Sequence, residues 1–174
     1  IVKSGSRTVK CVTGYNLGGM LVQSEGTLGI ISQAILKLVP PPKASKALMA
    51  VFDEVQNAAE AVAGIIAAHV VPCTLELLDN NTIVRVDDFT KAGLPREAGA
   101  ILLIEVDGHP AQVADDAEAV ERVLKANHAS AVHVPKDAEE KFKLWEARRM
   151  ALPVLARCRP TTVLEDATVP RSQI

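Results

Sequence analysis

Three prolines in a row, Pro40-Pro41-Pro42, limit the folding of this 174-residue chain more than any other feature. Proline offers no backbone N–H to a ladder or a helix and pushes the residue before it toward an extended conformation. Three in succession form an extended connector that no helix or central strand can run through. The text on either side differs accordingly. Residues 1–39 carry five glycines between Gly14 and Gly29 and then a strand-like stretch, Ala34–Val39. A domain boundary is therefore expected at the prolines, with residues 1–42 forming one portion and its linker and residues 43–174 a second.

Beyond the linker, apolar runs alternate with helical periodicity. Ala47–Phe52 is short and apolar and reads as a buried strand. Glu54–His69 repeats Val55, Ala58, Ala59, Val62, Ile65 and Ile66 at helical spacing and reads as an amphipathic helix packing on that strand. Thr74–Leu78 fits a second strand, although Glu76 and Asp79 leave a helical turn open; Asn80–Gly93 fits either a turn or a short helix. Ala98–Val106 is the clearest strand, closed by Asp107-Gly108. A charged amphipathic helix over Pro110–Asn127, a short strand at Ala131–Val134, and a long helix over Asp137–Cys158 follow, the last capped by Asp137 and interrupted by Pro153. Val163–Val169 reads as a final strand.

Two βαβ-type halves of similar length point to an α+β domain of the split-βαβ kind, a ferredoxin-like antiparallel sheet with helices on one face. A parallel doubly wound sheet is the alternative. No glycine-rich loop joins strand to helix at Phe52–Glu54 or Val106–Pro110, which weighs against a dinucleotide site of that type.

Charge and composition remove several functions. The apolar set makes up 48% of the residues, enough for a soluble globular core. Nineteen Lys and Arg against twenty-one Asp and Glu leave a net charge of −2 and no basic run, so no nucleic acid is expected as partner. The longest apolar stretches are broken well short of the ~20 residues that a membrane-spanning helix needs, so no transmembrane segment is expected. Cys11, Cys73 and Cys158 are odd in number, scattered, and without metal-ligand spacing, which favours reduced thiols in a cytoplasmic setting. The chain begins Ile-Val-Lys-Ser-Gly, with no signal-peptide pattern, and is expected to start inside something larger.

The most informative words are Val12-Thr13-Gly14-Tyr15-Asn16-Leu17 and Ser24-Glu25-Gly26-Thr27-Leu28-Gly29-Ile30-Ile31. In the second, Gly26 and Gly29 let backbone N–H groups approach a polar or anionic ligand without side chains in the way. A glycine turn feeding a buried strand accounts for the same letters. The words continue in order through LELLD at Leu75–Asp79, LLIEVDG at Leu102–Gly108, LWEARRMALPVL at Leu144–Leu155, and ED then VPRS within Glu165–Ser172. As a series, end to end, they resemble flavoproteins of the vanillyl-alcohol-oxidase type, with the nearest likeness to the glycolate oxidase large subunit and D-lactate dehydrogenase.

That resemblance implies a remnant of an FAD-binding domain over residues 1–42 and the front part of the substrate, or cap, domain over 43–174. It implies FAD as cofactor, contacted largely through the backbone of Glu25, Gly26, Thr27, Leu28, Gly29, Ile30 and Ile31, with Thr13, Gly14 and Tyr15 in a weaker second tier. The family's usual word is GSEGTLG. Gln23 stands here where that word has its first glycine, and Asn16 where Asp is common. Relatives that oxidise 2-hydroxy acids hold the carboxylate with an arginine three residues past a tryptophan on a helix, which is Arg148 after Trp145. A guanidinium suits a planar carboxylate, with which it forms a bidentate, charge-assisted pair. The bland account pairs Arg148 or Arg149 with Glu140, Glu146 or solvent.

The family's catalytic histidines and its metal-binding histidine motif belong to words absent from this chain, so no catalytic or metal residue is expected in it. His69, His109, His128 and His133 have no metal-helix spacing. The acidic runs at Asp115–Glu121 and Asp137–Glu140 read as solvated helix faces, and Trp145 as a core anchor. Glu165-Asp166 fits either a place near the substrate pocket or a charged strand edge.

The implied function is a share in a flavin-dependent dehydrogenase or oxidase acting on a small D-2-hydroxy acid such as lactate or glycolate, by hydride transfer to FAD. The isolated chain is expected to be inactive. It would be cytoplasmic, at most peripheral to a membrane through partner subunits, with its electron acceptor unspecified and a homo-oligomer as a further arrangement. Two other classes fit the fold alone: a non-catalytic oligomerisation or regulatory module, and a small-molecule sensor without a motif to support it.

Overall fold

The structure, a computed structural model, describes residues 1–170 and Gln173. The chain divides at the prolines into one unit, Ile1–Pro40, and a second from Pro41 onward.

In the first unit, helix α1 (Leu17–Leu21) is the one regular element. Asn16 caps it, its side-chain oxygen accepting from the N–H of Gly19 at 2.9 Å. Asn and Asp cap equally well, so Asn16 in place of Asp leaves this turn intact. No residue of the unit is buried. Ala34–Val39, expected to be strand-like, is irregular. A strand needs a neighbour for its N–H and C=O groups, and no part of residues 1–40 supplies one.

The second unit runs β1 (Ala44–Phe52), α2 (Val55–Ala67), β2 (Thr74–Asp79), α3 (Asn80–Thr90), β3 (Ala100–Gly108), α4 (Pro110–Ala126), β4 (Ala131–His133) and α5 (Ala138–Leu155). The strands form one sheet in the order β2-β3-β1-β4, with every neighbouring pair antiparallel. Central β1 and β3 pair over their full length, with Leu48 opposite Ile104 and Ala50 opposite Leu102. This is the ferredoxin-like arrangement expected from the sequence, and the antiparallel pairing excludes a doubly wound parallel sheet.

Two cores sandwich the sheet. On one face Leu48, Ala50, Phe52, Leu102, Ile104 and Val106 meet Ala58, Ala61 and Ile65 of α2 and Val113, Val120 and Leu124 of α4. On the other, Leu78, Ile101 and Leu103 meet Ile83 and Val86 of α3 and Ala147 of α5, with Met49, Val51 and Trp145 packed against them. The helices of the two βαβ halves thus share one face as expected, and α3 and α5 cover the second. Burial on both faces explains the unbroken apolar run Ala100–Ile104 of β3, where a half-exposed strand would alternate.

Helix α3 settles the ambiguous stretch after β2. Asp79 caps it by accepting from the N–H of Thr82 at 3.0 Å, and the Asn80 side chain donates to the carbonyls of Arg96 and Ala98, both at 2.8 Å. Within α3, the largely buried Asp87 accepts from the N–H groups of Gly93 at 2.8 Å and Leu94 at 3.0 Å and from Arg96 Nη1 at 3.1 Å. The Leu94 N–H foremost holds the Asp87 carboxyl below its usual range, against the upward push of burial, and Arg96 and Gly93 add to it. Gly99 sits where only glycine fits, since a Cβ there would lie 2.1 Å from the carbonyl oxygen of Asp53.

Helix α5 opens as expected, Asp137 accepting from the N–H of Glu140 at 2.8 Å. Pro153 falls in its last turn, and the helix ends two residues later at Leu155. Val163–Val169, expected as a final strand, is irregular and exposed, with no partner strand in the sheet. Arg171 and Ser172 of the VPRS word lie outside the described residues. Among the described residues no helix is long and apolar enough to cross a membrane.

Candidate functional site

Side chains alternate across the sheet, so Thr74 and Glu76 of β2 project to the same face as buried Leu78, the face that carries α3 and α5. Thr74 stands directly opposite Glu105 in the register of β2 and β3. That end of the sheet face is therefore polar, with two carboxylates, where the other end is apolar. Helix α5 answers with Lys141, Trp145 and Arg148 at spacings of four and three residues, which places them on one stripe. Lys141 Nζ donates to Glu105 Oε1 at 2.6 Å and to Ser45 Oγ at 2.8 Å. Arg148 Nη2 donates to Glu76 Oε1 at 2.5 Å. The two ion pairs join α5 to the sheet on either side of Trp145.

An open depression of about 420 Å³ lies among Thr74, Glu76, Glu105, Trp145, Arg148 and Arg149. Arg148 is 44% exposed and uses one nitrogen on one oxygen of Glu76, so the rest of its fork has no partner among the described residues. Arg149 stacks over Phe142, with its guanidinium carbon 5.3 Å from the ring centre. The Trp145 indole nitrogen is buried and has no hydrogen-bond partner among the described residues. The free N–H groups of Arg148, together with Arg149 and the Trp145 indole, make the depression rich in donors. A guanidinium fork of this kind is suited to pair with an anion bearing two oxygens.

A larger depression, about 570 Å³, lies near the start of α5 and includes Met49, His133, Lys136, Glu139, Glu140 and Lys143. Its charges answer one another. Glu140 accepts from His133 Nε2 at 2.8 Å and from the Lys136 N–H at 2.7 Å, and Lys143 pairs with Glu139 at 2.8 Å. The Lys136 N–H foremost, then His133, holds the Glu140 carboxyl below its ordinary range. Size favours this depression; unmatched donors favour the smaller one around Arg148, and the chemistry of recognition follows the donors. No group of three or more His, Cys, Asp or Glu that could hold a metal occurs among the described residues.

The remaining residues singled out in the sequence lie in the first unit. Gln23, Glu25 and Gly26 have φ of 66°, 49° and 81°, so three of four consecutive residues are left-handed. Gln23, standing where the family has glycine, thus occupies a backbone state that costs a side chain about 1–2 kcal/mol. The turn is tied by the N–H of Thr27, which donates to the carbonyl of Ser24 at 2.9 Å, and by the Thr27 hydroxyl, which donates to the same oxygen at 2.6 Å. The N–H groups of Glu25, Gly26, Leu28, Gly29, Ile30 and Ile31 make no hydrogen bond among the described residues. Nothing lies within 4 Å of where a Cβ would stand on Gly14 or Gly26. Free backbone donors beside uncluttered glycines fit the backbone contact with FAD that the resemblance implies. Thr13, Gly14 and Tyr15 are exposed and outside any regular element.

The depression gathers residues that the sequence did not single out as a site, namely Thr74, Glu76 and Glu105. The period-two alternation of Thr74, Glu76 and Leu78 was the available signal for a shared face; the pairing with α5 was not visible in it.

Residues 41–174 match the family described as FAD linked oxidases, C-terminal domain. The chain is 49% identical over 174 residues to the glycolate oxidase subunit GlcD of Bacillus subtilis, covering all of this chain and 37% of that protein. It is 38% identical to the protein of the same name from Escherichia coli K12, covering 91% of this chain and 32% of that one. Against D-lactate dehydrogenase [cytochrome] 1, mitochondrial, of Saccharomyces cerevisiae the identity is 32%, covering 87% of this chain and 26% of that protein. The chain therefore spans about a third of the length of these relatives. Among solved structures it resembles alkyldihydroxyacetonephosphate synthase, with a TM-score of 0.64 and 22% identity over 84% of this chain and 30% of that one, a likeness of fold.

Proposed function

The chain belongs to the FAD linked oxidases through their C-terminal domain, and on that footing we propose that it forms part of a flavin-dependent dehydrogenase or oxidase of a small D-2-hydroxy acid, lactate or glycolate. The relatives named glycolate oxidase subunit and D-lactate dehydrogenase support the substrate class. Arg148 is the observation that carries it: a half-exposed guanidinium with most of its fork free, in a depression rich in donors.

In this reading residues 1–42 close an FAD-binding domain and residues 43–174 form the front of the cap domain. When bound, FAD would supply the two-electron acceptor for oxidation at C2 of the hydroxy acid. The free N–H groups between Glu25 and Ile31 contact the cofactor, with Thr13, Gly14 and Tyr15 beside them. Arg148 binds the substrate carboxylate and thereby fixes the orientation of C2. The word "subunit" in two relatives' names favours partner subunits, through which electrons leave for an acceptor. The assembly is cytoplasmic, at most peripheral to a membrane.

In the full-length flavoprotein, Arg148→Ala is expected to lower kcat/KM for the hydroxy acid at least 100-fold with FAD content unchanged. A loss within about threefold, under ~1 kcal/mol of transition-state stabilisation, removes the clamp role. The 174-residue chain spans about a third of the length of these relatives, so it should be purified colourless and inactive; a stoichiometric yellow flavin on it would overturn the division of labour proposed here.

A further inference from the structure

Resting on the clamp reading of Arg148, we propose that the indole N–H of Trp145 is a second donor of the same subsite and takes one carboxylate oxygen of the bound 2-hydroxy acid while the guanidinium holds the other. The observation is a buried indole nitrogen with no acceptor among the described residues. A buried donor left unpaired is costly, and such atoms are rare enough that each calls for a physical reason. Trp145 precedes Arg148 by three residues on α5, so both side chains lie on the same stripe, and both line the same depression.

No acceptor of the lining meets the indole in this arrangement. Glu105 turns Oε1 to Lys141 at 2.6 Å and Glu76 turns Oε1 to Arg148 at 2.5 Å. A ligand can supply the missing acceptor, and the neighbouring guanidinium selects an anion. A carboxylate has two oxygens in one plane, one for each donor. Solvent does not reach the indole nitrogen in this conformation, so a lining side chain moves when the ligand enters. The Glu76–Arg148 pair is the one suited to do so. Its members are 33% and 44% exposed, and an ion pair that open to water contributes little to stability. Substrate carboxylate replaces Glu76 on the guanidinium, like for like, and the freed space opens toward the indole.

The test uses the full-length, FAD-loaded protein. Trp145→Phe removes the N–H and keeps an aromatic ring for packing. KM for D-lactate or glycolate is expected to rise about tenfold, with kcat within twofold and FAD content and melting temperature held, because the unliganded protein loses no hydrogen bond. KM within twofold of the parent's, where Arg148→Ala is impaired, overturns the donor role and leaves the clamp standing. An Arg148→Ala variant without effect removes the clamp, and the donor role falls with it. Should Trp145→Phe lose flavin or melt lower, the indole proton resonance of Trp145 decides instead. It shifts downfield with saturating hydroxy acid and not with the corresponding uncharged amide; an unmoved resonance overturns the proposal.

Discussion

The two units of this chain contrast in how they use apolar residues. Residues 1–40 bury none of theirs: Ile30 is 93% exposed and Leu38 88%, and one five-residue helix is the only regular element. The unit from Pro41 onward, of similar apolar character, closes two cores around a single sheet. Apolar content does not make a core by itself. A strand such as β3 is stable because β1 and β2 take its backbone groups on both sides, whereas Ala34–Val39 has the composition of a strand and no neighbour in its unit. Apolar surface left open to this extent marks a contact face, which agrees with the proposal that residues 1–42 close a larger FAD-binding domain.

Substitutions at matched apolar positions sharpen the contrast. Phe52→Ala, at a fully buried position of β1, should lower the stability of the chain by about 3–5 kcal/mol in urea unfolding. Retention of the original midpoint would deny the first core its role. Next in size is Asp87→Asn, expected to remove about 2 kcal/mol because the anion, with its charge-assisted bonds, anchors the loop from Gly93 to Arg96. The same group sets a pH dependence. Its carboxyl titrates lower folded than unfolded, so its contribution is full above about pH 4 and fades as pH falls through the depressed folded value. Thermal melts between pH 2 and 6 should therefore converge for the parent and Asp87→Asn at the acid end; parallel curves would break the assignment. Smallest is Ile35→Ala in the first unit, which should change stability by less than about 0.5 kcal/mol. A larger loss would mean that residues 1–40 hold a core after all.

Much of the second unit was legible in the sequence because its signals are local. The helical spacing in α2 and α4 and the apolar run of β3 needed only neighbouring letters. Asn80–Gly93 stays open between a turn and a short helix in the sequence because its own letters are mixed, and what decides it comes from afar: Asn80 bonds the carbonyls of Arg96 and Ala98. Val163–Val169 looked like a strand for its β-branched residues, yet strand propensity without a free partner edge does not make a strand. At the candidate site, Arg148 was legible through a resemblance. Its partner Glu76, 72 residues away, was not, since the register that turns Glu76 toward α5 is a property of the whole sheet.

Strand β2 ends at Asp79 and α3 begins at Asn80, with no residue between them. Sheet and helix are in effect one machined part with no expansion joint. A slip of one residue along β3 would turn Glu76 to the opposite face and, with no slack to absorb it, shift the start of α3 by about 3.3 Å along the sheet. Since α3 packs against α5, the hand-over at Asp79 acts as a datum from which Glu76 and the seat of Arg148 are both measured. Length changes inside Thr74–Thr90 would detune the site from a distance, while the exposed stretch after α5 has room to vary.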